Sequence, residues 1–235
     1  GVSQTMQRPS VSVQHFFDSL SGDYSEKLER CVPRYREMLW ALLEYLPRGA
    51  SINSILELGC GTGNLSVVLA ERFPESLLQM VDVSGNSLKA CRARLGSSSR
   101  FGFEQRDFRD LSYDHTSFDL VISSISIHHL MSEEKRQLFD QIHRWLKDDG
   151  VFSYADQFAG ATSDIYQRHI DNWQKEAFYA GATQAEWDLW MQHQSEHDHH
   201  EPLCDQIDWL KAAGFRIVDC PWRYLLWSIV QARKS

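Results

Sequence analysis

The residues best suited to chemistry stand in the run Ile55-Leu56-Glu57-Leu58-Gly59-Cys60-Gly61-Thr62-Gly63-Asn64 and in an acid 19 residues past Gly63, Asp82. Alternating glycines let a backbone turn sharply and approach a ligand closely, and a helix that follows points its free N–H groups outward. Asp82, with Val83 after it, closes the next apolar run, where a carboxylate can accept both hydroxyls of a ribose. The loop reads GxGxG, not the GxGxxG of dinucleotide loops, and Asn64 stands where that pattern wants a small residue. Glu57, two residues before the first glycine, would gain little beside a pyrophosphate. It suits a ligand with a cationic end.

A second set follows later apolar runs. Asp107-Phe108 comes after Phe101–Gln105, and Ser123-Ser124-Ile125-Ser126-Ile127-His128-His129-Leu130 follows the run that begins at Phe118. A histidine there titrates near neutral pH and can take a proton from a nucleophile. Shaping a pocket is the plainer role for His128 and His129, and the favoured one. Asp156, after Val151–Ala155, could orient an acceptor amine or hydroxyl, or cap a helix. Asp82 and Asp107 admit a bland reading as turn residues that end strands.

These groups need a frame to bring them together. Leu28, Val32, Tyr35, Leu39, Leu42 and Leu46 step by four and three, one face of a helix, which Pro47 and Gly49 end. From Ser51 short apolar runs alternate with helical segments at Asn64–Arg72, Gly85–Leu95 and Glu133–Leu146. Strand alternating with helix implies right-handed crossovers and a parallel sheet covered on both faces. The stretch 157–202 breaks the rhythm with aromatic residues at helical spacing. Leu203–Ala213 then predicts a helix, and Phe215–Cys220 with Trp222–Val230 a hairpin turning near Pro221.

On these residues the chain resembles the class I S-adenosylmethionine (SAM)-dependent methyltransferases, whose first motif is E-x-G-x-G-x-G. The resemblance implies an α/β, Rossmann-like seven-stranded sheet with a terminal antiparallel hairpin, an N-terminal helical lid and a helical cap insertion. It divides the chain into a lid (1–48), a SAM-binding core (49–156), a cap over the acceptor (157–202) and the end of the core (203–235). SAM is the implied cofactor, held by Tyr24, Glu57, Gly59, Gly61, Gly63, Asp82, Val83, Asp107, Phe108 and Ser124, with Asp107 on the adenine amino group and Tyr24 over the SAM carboxylate. The lid segment Phe16–Tyr24 and the HHL after the fourth strand look like those of small-molecule members. His128, His129 and Asp156 are the implied catalytic set. Asp119, at a strand start, is implied to support the fold. The lid, the insertion and the ending Leu-Lys-Ala-Ala-Gly-Phe also look similar to carboxy-SAM synthases. Those carry an Arg before the last helix, where this chain has His199-His200-Glu201-Pro202 and no Arg between Arg168 and Arg216. A non-catalytic SAM-binding subunit is the alternative from another class.

Charge narrows the acceptor. The net charge is −8, and residues 157–202 carry eight acids against two bases. That repels polyanions and favours a small neutral or cationic acceptor. The expected partner is thus a small-molecule acceptor. No nucleic acid and no membrane are expected, and a homodimer is compatible with the sequence. Five widely spaced cysteines without a CxxC pair suit reduced thiols in the cytoplasm. His193, His197, His199 and His200, with Glu196, Asp198 and Glu201, invite a metal reading, and His193 and His197 share a helical face at i, i+4, as in zinc-binding helices. With no third ligand of distinctive spacing, and since sulfonium chemistry needs no metal, the expectation is no metal.

Overall fold

The computed structural model describes residues 26–235, with side chains from Leu28 onward. Tyr24 and the segment Phe16–Tyr24 lie outside the described residues. Seven strands form one sheet in the order β3-β2-β1-β4-β5-β7-β6. They are β1 (Ser54–Leu58), β2 (Leu77–Asp82), β3 (Phe101–Gln105), β4 (Phe118–Ser124), β5 (Leu146–Gln157), β6 (Ile217–Tyr224) and β7 (Trp227–Arg233). The first five run parallel, and β7 lies antiparallel to both its neighbours, β5 and β6. The expected architecture is therefore the observed one.

Helices α1 (Glu26–Cys31) and α2 (Tyr35–Glu44) precede the sheet, α3 (Asn64–Arg72) follows β1, α4 (Gly85–Leu95) follows β2, and α5 (Ser132–Trp145) follows β4. The helical face read from Leu28 to Leu46 is buried almost throughout, but two helices carry it. Pro33 and Arg34 interrupt it: proline excludes the α conformation from its predecessor, and Arg34 takes φ 59°. On the sheet, Leu56, Leu58, Val121 and Phe152 face one cluster and Ile55, Met80, Leu120 and Ile122 the other. That two-sided burial is why these strands read as continuous apolar runs.

Helices α6 (Ser163–Tyr179) and α7 (Gln184–His197) interrupt the core between β5 and α8 (Leu203–Ala212). Trp173, buried like Trp187, meets Trp187 edge-on at 4.8 Å and Trp227 at 5.1 Å, and donates its indole N–H to the Cys31 carbonyl at 2.7 Å. The two ends of the insertion are clasped: Ala159 N donates to Glu201 O at 3.0 Å and bridges to Pro202.

The hairpin turns at Leu225-Leu226, not near Pro221. Pro221 sits within β6, where the register shifts between Asp219 and Trp222. The strand is at the sheet edge, so a missing N–H at an irregularity costs little there. Among the described residues no helix is long and apolar enough to cross a membrane.

Candidate active site

Strand order reverses between β1 and β4, and in open α/β sheets ligands settle at the carboxyl ends of the strands there. A cleft of ≈ 250 Å³ lies at that point, lined by the Gly59–Thr62 loop, Glu57, Asp82 and Ser124. The loop leaves β1 through Gly59 (φ 74°) and Gly61 (φ 53°) and enters α3 at Gly63 (φ 101°), all in the left-handed region. A Cβ on Gly61 would meet no heavy atom within 4 Å, so it would project into the cleft. A Cβ on Gly63 would press on Cys91 Sγ at 3.0 Å. Gly61 thus leaves space open in the cleft, and Gly63 permits close packing of α3 on α4.

Asp82 holds this loop. One carboxylate oxygen accepts the Gly61 amide at 2.8 Å and the other the Ser84 amide at 2.9 Å. Val83 beside it is largely exposed. Glu57 is buried and accepts the Ser66 hydroxyl at 2.5 Å. Burial without a cation pushes its carboxyl up to about 8, against the smaller opposing effect of Ser66. Ser124 Oγ is buried beside the Tyr35 hydroxyl and lines the same cleft. Tyr35, read in the sequence only as a core position of a helix, is thus also a wall of the cleft.

Phe108 is brought against the glycine loop: its ring edge would lie 3.2 Å from a Cβ on Gly59. Asp107 is placed differently. Its carboxylate is forked to Arg109 at 2.9 Å through both Nε and Nη2, and that guanidinium holds it below the usual carboxylate range. Asp119 accepts the Asn53 and Ser54 amides at 2.9 and 3.0 Å, tying β4 to β1, the supporting role expected of it.

A second cleft, of ≈ 410 Å³, shares Leu28 and Ile125 with the first. Val32, Trp173, Leu189 and Trp190 make its apolar wall, and His128, His193 and Asp198 its polar one. Asp156 and His128 form one buried unit here. His128 donates its backbone N–H to Asp156 Oδ2 at 3.0 Å, and its Nδ1 lies 2.6 Å from Oδ1. Burial disfavours both charges, yet their mutual attraction outweighs it: His128 is raised and Asp156 lowered. Asp156 is therefore an orienting group for His128 rather than a cap.

The other polar residues come from far along the chain. Asp198 directly follows α7, and His128 Nε2, His129 Nδ1 and His193 Nε2 stand 3.5, 3.6 and 3.7 Å from its Oδ1. His129, half-exposed, is lowered by burial of its ring and by His128 beside it. The i, i+4 pair is brought side by side, ring centroids 5.0 Å apart, but His197 is exposed with its Nε2 3.7 Å from Glu196, and neither ring joins the group that His128, His129 and Asp198 form. His200 is held at both nitrogens, by Tyr166 Oη at 2.7 Å and Gln157 Oε1 at 3.1 Å. Lys135 fixes the segment to the core: its buried ammonium donates to the His199 carbonyl at 2.5 Å and pairs with Glu201. Sequence reasoning missed Lys135 as a site residue and named Asp198 only as one acid in the histidine-rich run from His193 to Glu201. Each reads as an ordinary surface charge of a helix or its end.

Comparison with known proteins bears on the fold that carries these clefts. Residues 55–150 match the family model described as a methyltransferase domain. The chain is 29% identical over 132 residues to the malonyl-[acyl-carrier protein] O-methyltransferase of Geobacter sulfurreducens, a match covering 56% of the chain and 46% of that relative. The chain thus spans about half the length of such relatives. It is 21% identical over 228 residues to the carboxy-S-adenosyl-L-methionine synthase of Campylobacter lari, covering 94% and 95%. A solved S-adenosylmethionine-dependent methyltransferase from Mesorhizobium loti superposes with a TM-score of 0.59 at 20% identity, covering 83% of this chain and 97% of that one.

Proposed function

We propose that the core of this chain is a class I SAM-dependent methyltransferase domain, and that the protein transfers the methyl group of SAM to an N, O or S atom of a small acceptor held in the apolar cleft. The observation that carries the reading is the junction of the two clefts at Leu28 and Ile125, below His128 and beside Ser124. One cleft has the donors and acceptors a charged nucleoside needs. The other has apolar walls and one polar end.

SAM fits the first cleft on its own residues. Gly61 leaves room that a side chain would fill, Asp82 keeps acceptor capacity for ribose hydroxyls, and buried Glu57 lacks a cation that an ammonium supplies. Bound there, SAM supplies a methyl group already activated as part of a sulfonium. The protein need only align the acceptor in line and exclude water. Trp173, Trp190 and Leu189 do the second, as the cap of an acceptor site. Asp107 would have to share its carboxylate with Arg109 to reach an adenine. The acidity of residues 157–202 favours a neutral or cationic acceptor, in the cytoplasm where free thiols persist.

Calorimetric titration with S-adenosylhomocysteine, followed by tritiated SAM against a panel of amines, phenols and thiols, tests this. Tight binding with transfer to a panel member supports it. Binding without any transfer points to the non-catalytic subunit, and no binding removes the assignment. Full-length similarity to carboxy-SAM synthases favours a second reading. The missing Arg speaks against it. Mass spectrometry of nucleoside copurified with the protein separates the two, since the carboxylated cofactor is heavier than SAM.

A further inference from the structure

Two imidazole nitrogens and one carboxylate oxygen converge at the polar end of the apolar cleft, and we propose that they bind a divalent transition metal such as zinc, which holds the acceptor's hydroxyl or thiol. The ligands are His128 Nε2, His129 Nδ1 and Asp198 Oδ1. The part of the proposal that concerns the acceptor rests on the methyl-transfer reading. The metal site itself does not.

Geometry carries the site. One donor atom from each of His128, His129 and Asp198 lies within 4.8 Å of the other two. The separations from Asp198 Oδ1 to His128 Nε2 and His129 Nδ1 are 3.5 and 3.6 Å. These are too long for hydrogen bonds. They are close to the edge of about 3.3 Å of a tetrahedron with zinc bonds of about 2.0–2.1 Å. Asp198 is 7% exposed at its side chain, and its Oδ1 makes no hydrogen bond among the described residues. A buried carboxylate oxygen ringed by nitrogens beyond bonding reach is costly unless a cation stands among them.

The surrounding contacts have the form a metal site requires. Asp156 takes the Nδ1 side of the buried His128 ring at 2.6 Å, which fixes the ring and leaves Nε2 as the free electron pair. A carboxylate behind a ligating histidine is the usual second contact of such a centre. His199 N donates to the His128 carbonyl at 2.7 Å, and Lys135 grips the His199 carbonyl, so Asp198 is set against His128 by the backbone on its far side. His200, with both nitrogens engaged, is excluded as a ligand. Nitrogen-rich donors suit zinc, iron, cobalt or nickel over magnesium or calcium. The sequence expectation of no metal rested on the lack of a third ligand by spacing. The fold supplies three, from the loop after β4 and the residue after α7.

His128 and Asp198 line the cleft and His129 is half exposed, so the site faces the cleft, and three protein ligands leave the fourth tetrahedral position open to a further donor. An acceptor hydroxyl or thiol bound there gives its proton to water. Its lone pair then forms the bond to the methyl carbon as the carbon–sulfur bond of SAM breaks, leaving the methylated acceptor and S-adenosylhomocysteine. His128 and His129 then act as ligands, not as proton acceptors.

The test is zinc and cobalt titration of the full chain stripped with a chelator. One zinc per chain, with the intense visible absorption of four-coordinate cobalt, is expected. Asp198→Ala and His128→Ala should each weaken zinc by roughly 100-fold or more, since even outer partners are worth about 10–100-fold. His197→Ala should leave zinc affinity unchanged. Should the buried variants not fold, His129→Ala gives the same answer from a half-exposed position. Absence of stoichiometric zinc or cobalt, or equal affinity in His129→Ala and the wild type, overturns the site. S-adenosylhomocysteine affinity is measured in parallel. Its loss with zinc retained sinks the methyl-transfer reading alone, and zinc lost with nucleoside retained sinks the metal alone.

Discussion

Asp82 reaches back 21 residues to accept the Gly61 amide through Oδ2, so the acid after β2 fixes the loop after β1. The carboxylate both shapes the glycine turn and presents its remaining electron pairs to the cleft. Asp82→Ala removes both functions. S-adenosylhomocysteine affinity should fall by more than the loss of one charge-assisted bond of roughly 1.5–3 kcal/mol. An unchanged dissociation constant by calorimetry, in a variant that melts like the wild type, would remove Asp82 from the binding site.

Gly61→Val places a branched side chain in the open space of the cleft at φ 53°. Nucleoside binding should disappear, and the melting temperature should drop by an amount matching about 1–3 kcal/mol of backbone strain. Copurification of SAM with this variant would show that the loop does not cradle it.

Glu57 gives a pH signature. Burial raises its carboxyl from 4.5 to about 8, so the folded protein holds a proton that the unfolded chain releases. The stability this confers is fully present below pH 4.5 and is lost as pH rises through 8. Relative to Glu57→Gln, the wild type should therefore melt progressively lower between pH 5 and 8.5 in the absence of nucleoside. An ammonium beside Glu57 favours the charged form, so binding at pH 7 should release a proton, visible as a calorimetric heat that varies with buffer. Proton release persisting in Glu57→Gln would place its source elsewhere.

Asp156→Ala strips acceptors from the His128 amide, the His128 ring and the Gln157 amide at once. Breaking a buried pair of this kind costs about 3–5 kcal/mol. Thermal denaturation should show a loss of that order. A loss below about 1 kcal/mol would mean water replaces the carboxylate.

Trp190→Ala opens the apolar wall without touching the nucleoside cleft, whose lining includes no residue of α6 or α7. S-adenosylhomocysteine affinity should stay within about twofold, while KM for the acceptor found in the panel rises by roughly 10-fold or more, the worth of a large buried aromatic contact. An unaltered KM would move the acceptor away from this cleft. Wholesale removal of residues 157–202 is a poorer probe, because Trp173 covers Trp227 of the sheet itself.

Most of the sheet was legible because its strands are buried on both faces and its helices have strong starts and stops. Asn64–Arg72 and Gly85–Leu95 fall where the pattern put them, bounded by Gly63 and Ser84. The turn near Pro221 was misplaced because proline normally ends a strand, whereas an irregular edge strand tolerates it. Glu57, Asp82 and the glycines were legible as a local motif. Asp198 was legible only as one acid in the run from His193 to Glu201. Its meaning comes from His128 and His129, some seventy residues away on another element, and no periodicity along the chain records that approach. The i, i+4 spacing named His193 and His197, whereas the group that converges on Asp198 comes from the loop after β4.

The clasp between Ala159 and Glu201–Pro202 has a consequence for how this scaffold can diversify. Both ends of the two-helix insertion leave the sheet side by side, so the core closes its own main-chain hydrogen bonds whatever length of chain runs between them. Lengthening an already closed loop costs little, since the entropy of closure grows only with the logarithm of its length. Residues far from the clasp can therefore be exchanged as a block, provided a replacement again shields Trp227. A library of residues 163–197 that keeps Trp173, Ala177 and Trp187, which pack in the same core as the sheet, would vary the wall of the apolar cleft and leave the lining of the nucleoside cleft untouched.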